Sequence, residues 1–271
     1  MPHSDDFHGT LAPWTTLPIR SARWRALQDL IADPERTDRV FEIIRALSGN
    51  AFERSWQRFR ANPDGQRLLA ERPSLLAALS DRAALRALPA VSFGRAYADF
   101  MDTAQLDAAG LIEAEEQAAR NYAGPDEGPS DPDRDFFGER LRDMHDLWHV
   151  LTGYGRDEAG EAANLAFTYA QVPNLGVGFI VVAGAVLGPH DLSLYWQRYL
   201  LRAWRRGRRA TLLTVAPYEA LLPLPLAEVR RRLAVAPPQV AHPEGILVAG
   251  RGEDPHWRLP DDDAALVSGR Q

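Results

Sequence analysis

Apolar residues in this chain recur at the spacing of a helix and not at that of a strand. In segments 40–47 and 93–101, apolar side chains return every three or four positions. Such side chains share one face of an α-helix, whereas a half-buried strand alternates apolar and polar residues. Alternation suggests at most one short hairpin, formed by residues 245–248 and the neighbourhood of Trp257. The spacing therefore predicts an all-α fold.

The predicted architecture is a single helical-bundle-like domain over residues 21–237, preceded by a flexible N-terminal arm at residues 1–20. Residues 238–271 are expected to form a C-terminal tail that is partly disordered, particularly around the acidic run at 261–263. Within the domain, one helix is predicted over residues 135–154, with the metal site described below between it and a neighbouring helix.

The composition removes several kinds of chemistry. There is no cysteine, and all 31 basic residues are arginine. Disulfides, thiol nucleophiles, thiolate zinc sites and lysine Schiff bases are therefore excluded. The net charge of −6 gives no general attraction to nucleic acid, so no nucleic-acid partner is expected.

No segment has the pattern of a secretory signal or a membrane span. Residues 1–10 are polar and acidic. The most apolar run, residues 175–187, is shorter than the roughly 18 to 20 residues that a spanning helix needs. A cytoplasmic location is therefore expected, and any attachment to the cytoplasmic face of the inner membrane should be peripheral.

Four candidate metal ligands lie close together in the sequence. His145 and His149 are about 40° apart on a helix, so both imidazoles can reach one ion. Asp146 can reach the same ion or orient His149 through a hydrogen bond. Glu161 follows a glycine-rich segment, residues 153–160, which permits a tight turn and a returning helix.

This set of side chains favours one divalent metal, Zn²⁺ or alternatively Fe²⁺ or Mn²⁺, with open positions for water or substrate. Two other interpretations remain open. His145 and His149 can be ordinary helix residues with local hydrogen bonds. A metallohydrolase is the second alternative, because a zincin helix carries a glutamate directly after its first histidine, and this chain has Asp146 there.

The pattern His-Asp-x-x-His, followed by eleven residues and then Glu, resembles the signature of the coenzyme Q (ubiquinone) biosynthesis protein 4 family. His145, Asp146, His149 and Glu161 each match one position of that signature, and the likeness extends over residues 37–237. The resemblance implies an all-helical metal protein of ubiquinone biosynthesis. It implies a role in replacing the ring carboxylate of a prenylated hydroxybenzoate by a hydroxyl, and in assembling other ubiquinone-biosynthesis proteins. A non-catalytic lipid-binding scaffold is the alternative.

Catalytic roles are then expected for Glu161, Asp146 and Arg142. Arg142 precedes His145 by three positions, so it is expected to face the metal and pair with a substrate carboxylate, or else to orient Asp146. Zinc does not change redox state, so with zinc the oxygen would react with an electron-rich ring that the metal only orients. Iron would allow a direct oxygenase role.

Two segments suggest contacts with lipid. The apolar run 175–187 contains three glycines, which favours either core packing or a groove for the polyprenyl tail of a quinone precursor. The helix predicted over residues 191–209 can form a solvated, salt-bridged face or contact anionic headgroups at a peripheral membrane surface. Its clustered arginines are Arg202, Arg205, Arg206, Arg208 and Arg209. A homo-oligomer is left open.

Overall fold

The structure is a computed structural model that describes residues 51–103, 131–187, 193–248 and 256–258. The predicted arm at residues 1–20, the segment 40–47 and the acidic run at 261–263 lie outside the described residues. The described residues are mostly helical, which confirms the predicted all-α class.

The helices are α1 (Ala51–Ala61), α2 (Pro63–Glu71), α3 (Leu75–Ser80), α4 (Arg82–Ala87), α5 (Phe93–Thr103), α6 (Pro132–Asp143), α7 (His145–Thr152), α8 (Glu158–Gln171), α9 (Leu175–Leu187), α10 (Ser193–Arg209), α11 (Tyr218–Leu221), α12 (Leu226–Arg232) and α13 (Pro238–Ala241). A 3-10 turn, Leu213–Val215, separates α10 from α11. Two short strands, β1 (Ile246–Val248) and β2 (His256–Arg258), pair antiparallel. Among the described residues, no helix combines the length and apolar character needed to span a membrane.

One main apolar core joins helices from α3 to α12 with strand β1. Its fully buried aromatic side chains include Tyr97, Tyr154 and Phe167. A second, smaller cluster joins α1, α2 and α6, and there the rings of Phe59 and Phe137 pack with their centroids 4.8 Å apart. Helix α8 lies at the centre of the main core, in contact with α7, α9, α10 and β1. The apolar face expected for segment 93–101 is thus packed in this core.

The C-terminal boundary of the packed structure lies later than predicted. A tail is predicted from residue 238, yet Pro238–Ala241 form α13 and the strands after it form the predicted hairpin. Ile246 and Leu247 are buried in the main core against α8, because burial of an apolar strand favours folding. Packing therefore continues at least to residue 248.

The single helix predicted over residues 135–154 is two helices. Helix α6 ends at Asp143 and α7 begins at His145, with Met144 between them at φ −83° and ψ −3°. A ψ near zero departs from the helical value of about −42° and changes the direction of the axis. The Met144 side chain is fully buried, so core packing holds this bend. Helical angles counted back from α7 therefore do not apply to residues of α6.

The arginines of α10 do not share one solvated face. Arg206 is buried and donates a hydrogen bond to the carbonyl oxygen of Thr152 at 2.6 Å. Arg202 forms an ion pair with Glu244. The exposed members of the group are Arg205, Arg208 and Arg209. The surface available to an anionic partner is accordingly smaller than the sequence indicates.

Replacing glycine by alanine is expected to have different effects on stability at two positions, the tightly packed Gly207 of α10 and the open Gly138 of α6. A Cβ at Gly207 would lie 2.5 Å from the backbone oxygen of Phe167, so Gly207→Ala should destabilise the protein by about 1 to 3 kcal/mol. At Gly138 in α6 the nearest atom outside the helix, on Phe52, would be 3.8 Å away. Gly138→Ala should therefore be neutral or stabilise by about 0.5 to 1 kcal/mol. Urea unfolding of both variants measures this, and equal midpoints would contradict the described packing.

Candidate metal centre

Three side chains from α7 and α8 converge on one point. His145 and His149 lie one turn apart on α7, and Glu161 lies in the first turn of α8. One ligand atom from each of them falls within 4.8 Å of the other two. Glu161 Oε2 is 3.3 Å from His149 Nε2 and 3.9 Å from His145 Nε2. Two imidazole nitrogens and a carboxylate oxygen form a donor set that suits a divalent metal with open positions.

The turn between α7 and α8 places Glu161 against the two histidines. Gly153 ends α7 in the left-handed region at φ 75°, which glycine adopts without strain. The Asp157 side chain caps α8 by accepting the N–H groups of Ala159 and Gly160, each at 3.2 Å. A Cβ at Gly160 would lie 2.1 Å from the carbonyl oxygen of Gly155, so only glycine permits this approach. The tight turn predicted from the glycines is confirmed.

The buried ring of His149 presents its Nε2 atom to this point. Its Nδ1 lies 3.2 Å from the carbonyl oxygen of Tyr154, and because a carbonyl only accepts, Nδ1 carries the proton. Phe100 stacks on the same ring, with the centroids 5.6 Å apart. Nε2 is buried and makes no hydrogen bond within the described part of the chain. A buried imidazole nitrogen that faces a carboxylate and makes no hydrogen bond fits a metal ligand.

Asp146 orients His145 and is not one of the three converging ligands. Its Oδ1 lies 3.3 Å from His145 Nδ1 and 3.0 Å from Arg156 Nη1. The predicted alternatives for Asp146 were metal ligation or a hydrogen bond to His149. The structure instead places the carboxylate on the Nδ1 side of the His145 ring. Accepting the Nδ1 proton leaves His145 Nε2 free to face Glu161.

Charges in the group shift the pKa values of its members. Burial favours a higher pKa for Glu161, but His149, His145 and Arg156 outweigh it and hold that pKa at about 2. Burial likewise opposes ionisation of Asp146, yet His145 and Arg156 lower its pKa below the ordinary value. For His145, burial disfavours the charged form, but Asp146 and Glu161 raise its pKa above the ordinary value. Both carboxylates are therefore ionised at neutral pH and available as ligands or acceptors.

Arg142 pairs with the neighbouring Asp143 and lines a cavity. Its Nε pairs with Asp143 Oδ1 at 2.9 Å, and the side chain lines a cavity of about 200 Å³ together with Arg72 and Arg140. None of the three converging side chains lines this cavity. The expectation that Arg142 faces the metal assumed one continuous helix, and the bend at Met144 removes that basis.

Sequence reasoning missed three contributors to the centre. Arg156 carries a detectable signal, since it is a cation within the glycine-rich turn between two proposed ligands. Phe100 belongs to the predicted apolar face of segment 93–101, but nothing in that spacing indicates that it stacks on His149. Tyr154 acts through its backbone carbonyl, for which a side-chain pattern gives no signal.

Comparison with known proteins identifies the family. Residues 21–239 match the family described as "Coenzyme Q (ubiquinone) biosynthesis protein Coq4". The chain belongs to this family. The resemblance found from the spacing of the four motif residues is confirmed.

Similar proteins of the Coq4 family come from fungi and animals. The chain is 27% identical over 209 residues to "Ubiquinone biosynthesis protein coq-4, mitochondrial" of Neurospora crassa, covering 77% of this chain and 57% of that protein. It is also 27% identical over 211 residues to "Ubiquinone biosynthesis protein COQ4 homolog, mitochondrial" of Bos taurus, covering 76% and 74% of the two chains. The chain thus spans little more than half the length of the Neurospora relative.

A solved structure shares the fold of this Coq4 family member. The crystal structure of a protein of Nostoc punctiforme, named for ubiquinone biosynthesis, superposes with a TM-score of 0.57 at 22% sequence identity. The match covers 78% of this chain and 95% of the Nostoc chain. At this identity the likeness establishes the fold.

The converging ligands predict one divalent metal ion per chain. Glu161→Ala should remove it, because two imidazoles alone hold a divalent ion weakly. Glu158, three positions earlier on α8, is exposed and outside the group, so Glu158→Ala is a matched control that should keep its metal. Elemental analysis of protein purified without added metal measures the content. Stoichiometric metal in Glu161→Ala would contradict the assignment.

The raised pKa of His145 predicts that metal binding depends on pH. A ligating histidine must be unprotonated, so metal should bind more tightly as the pH rises through the raised value and should release a proton below it. In the metal-free protein, the attraction of Asp146 and Glu161 for protonated His145 stabilises the fold. This stabilisation is fully present below the ordinary histidine pKa of about 6.5 and is lost as the pH rises through the raised pKa of His145. Calorimetry in two buffers of different ionisation enthalpy counts the released proton. An affinity that is constant from about pH 6 to about pH 8 would contradict this expectation.

Proposed function

We propose that this protein acts in ubiquinone biosynthesis, as a metal-dependent protein that replaces the ring carboxylate of a prenylated hydroxybenzoate by a hydroxyl. The observation that carries the proposal is the group formed by His145, His149 and Glu161, at the motif positions of a chain of the Coq4 family. Zn²⁺ is the proposed ion, with Fe²⁺ and Mn²⁺ as alternatives.

The donor set and its surroundings support a metal role for the group. His145 Nε2, His149 Nε2 and a Glu161 oxygen would hold the ion, while the carbonyl of Tyr154 and the carboxylate of Asp146 fix the two ring orientations. When bound, a divalent cation supplies Lewis acidity that can orient a phenolate or carboxylate oxygen. Arg156 would hold Asp146 in place through its 3.0 Å contact.

The proposed conversion needs an external oxidant, for which we name dioxygen. The bond between the ring carbon and the carboxyl carbon breaks, and a bond from that ring carbon to oxygen forms. One ring acid, one dioxygen and one water balance to one phenol, one carbon dioxide and one hydrogen peroxide. The ring acid loses two electrons, formally one from the ring carbon and one from the carboxyl carbon, and dioxygen gains both. The part of the protein is to bind and orient the ring acid at the group on α7 and α8.

The prenyl tail of such a substrate needs an apolar path, and α9 is the segment we propose for it. The helix is apolar throughout, and Val182 on it is 62% exposed. Gly178 serves packing, because a Cβ there would lie 2.7 Å from the Tyr169 ring of α8. The proposed path therefore runs along the exposed surface of α9 at Val182, one turn beyond the contact of Gly178 with Tyr169.

A lipid-binding scaffold is the second candidate function. Exposed apolar side chains on α10 support it, since such side chains favour contact with a lipid surface or a partner protein. They are Leu194, Tyr195 and Leu201. In this role the protein would lie peripherally at a membrane surface and hold other ubiquinone-biosynthesis proteins near the prenylated precursor, without chemistry of its own. A cytoplasmic, membrane-peripheral location belongs to this proposal.

The two candidates differ in the effect of Glu161→Ala. We expect the metal-loaded protein, supplied with dioxygen and a prenylated hydroxybenzoate carrying an isotopically labelled carboxyl group, to release labelled carbon dioxide. Glu161→Ala should reduce the release rate on the order of 100-fold or more, because the ligand group is lost. Mass spectrometry of the evolved gas and of the phenol product measures the reaction, with Glu158→Ala as the control that should match the parent chain.

Release by Glu161→Ala at the parent rate would exclude catalysis at this group. An absence of release from the parent chain, combined with restored quinone production when Glu161→Ala is supplied to cells lacking this protein, would support the scaffold role instead.

A further inference from the structure

Two polar side chains on α8 have buried atoms that bond to nothing in the part of the chain that the structure describes. Asn164 is fully buried, and neither its Nδ2 nor its Oδ1 bonds to any group in the described part of the chain. The Thr168 Oγ1 atom is also buried and without a partner there. A buried polar atom without a partner costs free energy, so three such atoms on neighbouring turns of one helix need an explanation.

These atoms lie along the face of α8 that carries Glu161. On a helix, Asn164 is about 60° and Thr168 about 20° from the direction of Glu161, one and two turns further along. The opposite face of α8 packs on α10, where Gly207 approaches Phe167 and Ala170. The unbonded atoms therefore continue from the metal-capable group along one side of the helix.

Gln171 lies on the same helix, and both polar atoms of its buried amide are hydrogen-bonded. Its Nε2 donates to the carbonyl oxygen of Gly207 at 2.6 Å, and its Oε1 accepts the N–H of Leu213 at 2.9 Å. Both polar atoms of this buried side chain serve the fold. Asn164 is as deeply buried and makes no hydrogen bond with any group of the described residues.

We propose that Asn164 and Thr168 form a subsite that hydrogen-bonds the oxygen substituents of an aromatic ring held at His145, His149 and Glu161. An amide offers one donor and one acceptor face, and a hydroxyl offers both, which matches the phenol and carboxyl oxygens of a hydroxybenzoate ring. The subsite rests on the proposed function, because the ring acid defines the ligand class. The subsite would give the protein a preference for a ring that carries oxygen substituents over a ring without them.

Replacing Asn164 by leucine, which has a similar shape and no polar side-chain atoms, distinguishes a role in ligand binding from a structural role. Asn164→Leu removes the unsatisfied atoms, so the melting temperature of the ligand-free protein should rise by about 2 to 4 °C. The same variant should bind a geranylated 4-hydroxybenzoate about tenfold more weakly, for the loss of about one hydrogen bond. Gln171→Leu is the matched control and should lower the melting temperature, because its amide is fully bonded.

Binding is measured by calorimetry without dioxygen, so that no turnover occurs. Two probes are compared on the metal-loaded protein: the geranylated 4-hydroxybenzoate, and geranylbenzene, which has the same tail and no ring oxygens. Asn164→Leu should weaken the first and leave the second unchanged. Thr168→Val, which keeps the shape of the side chain, should act in the same direction and covers the case in which leucine does not fit at position 164.

Equal binding of the ring acid by the parent chain, Asn164→Leu and Thr168→Val would overturn the subsite and leave the proposed function standing. So would a fall in melting temperature for both variants with unchanged binding, since the unbonded atoms would then hold only buried water. If the ring acid does not bind to the parent chain, the subsite is also overturned. Weakened binding in both variants, with no carbon dioxide release by the parent chain, would support the subsite while excluding the decarboxylation.

Discussion

The close approach of Gly160 to the carbonyl oxygen of Gly155 is the contact on which the candidate centre depends. It allows α8 to begin directly beside the end of α7, and the Asp157 cap holds that beginning. A Cβ at position 160 would lie 2.1 Å from that oxygen, so the backbone at the start of α8 would have to move, and Glu161 with it. A backbone contact thus controls the distance between side chains that belong to different helices.

The centre combines burial with charge in a way that ordinary helix packing does not require. Two histidines, two carboxylates and Arg156 share a small volume, and burial by itself would favour their neutral forms. Their mutual attraction keeps the carboxylates ionised. At the same time, Tyr154 and Asp146 each take one ring N–H and so leave one nitrogen of each imidazole facing Glu161. Such an arrangement fixes the orientations of both rings in advance of any ligand, which reduces the reorganisation that binding requires.

Much of this could be predicted from the sequence, because the signals are local. Helical spacing indicates the all-α class, and the short hairpin follows from one apolar run and its neighbour. His145, His149 and Glu161 could be grouped because two lie one turn apart and the third follows a glycine-rich turn. The break at Met144 could not be predicted, since the local spacing of residues 135–154 gives no signal for it, and the burial of Met144 among distant helices appears only in the folded structure.

The sequence by itself determined the helical class, where glycines permit a tight return, and a set of four candidate ligands that includes the three side chains meeting across it, since neighbours along the chain control each of these. Only the tertiary structure decided that Asp146 holds His145, that Arg142 lies beside another cavity, and that Arg206 is buried in α10. It also placed strand β1 in the core, beyond the predicted domain boundary. The partner and the burial of a polar side chain depend on groups that packing brings from far along the chain. The spacing of residues within one segment does not predict those groups.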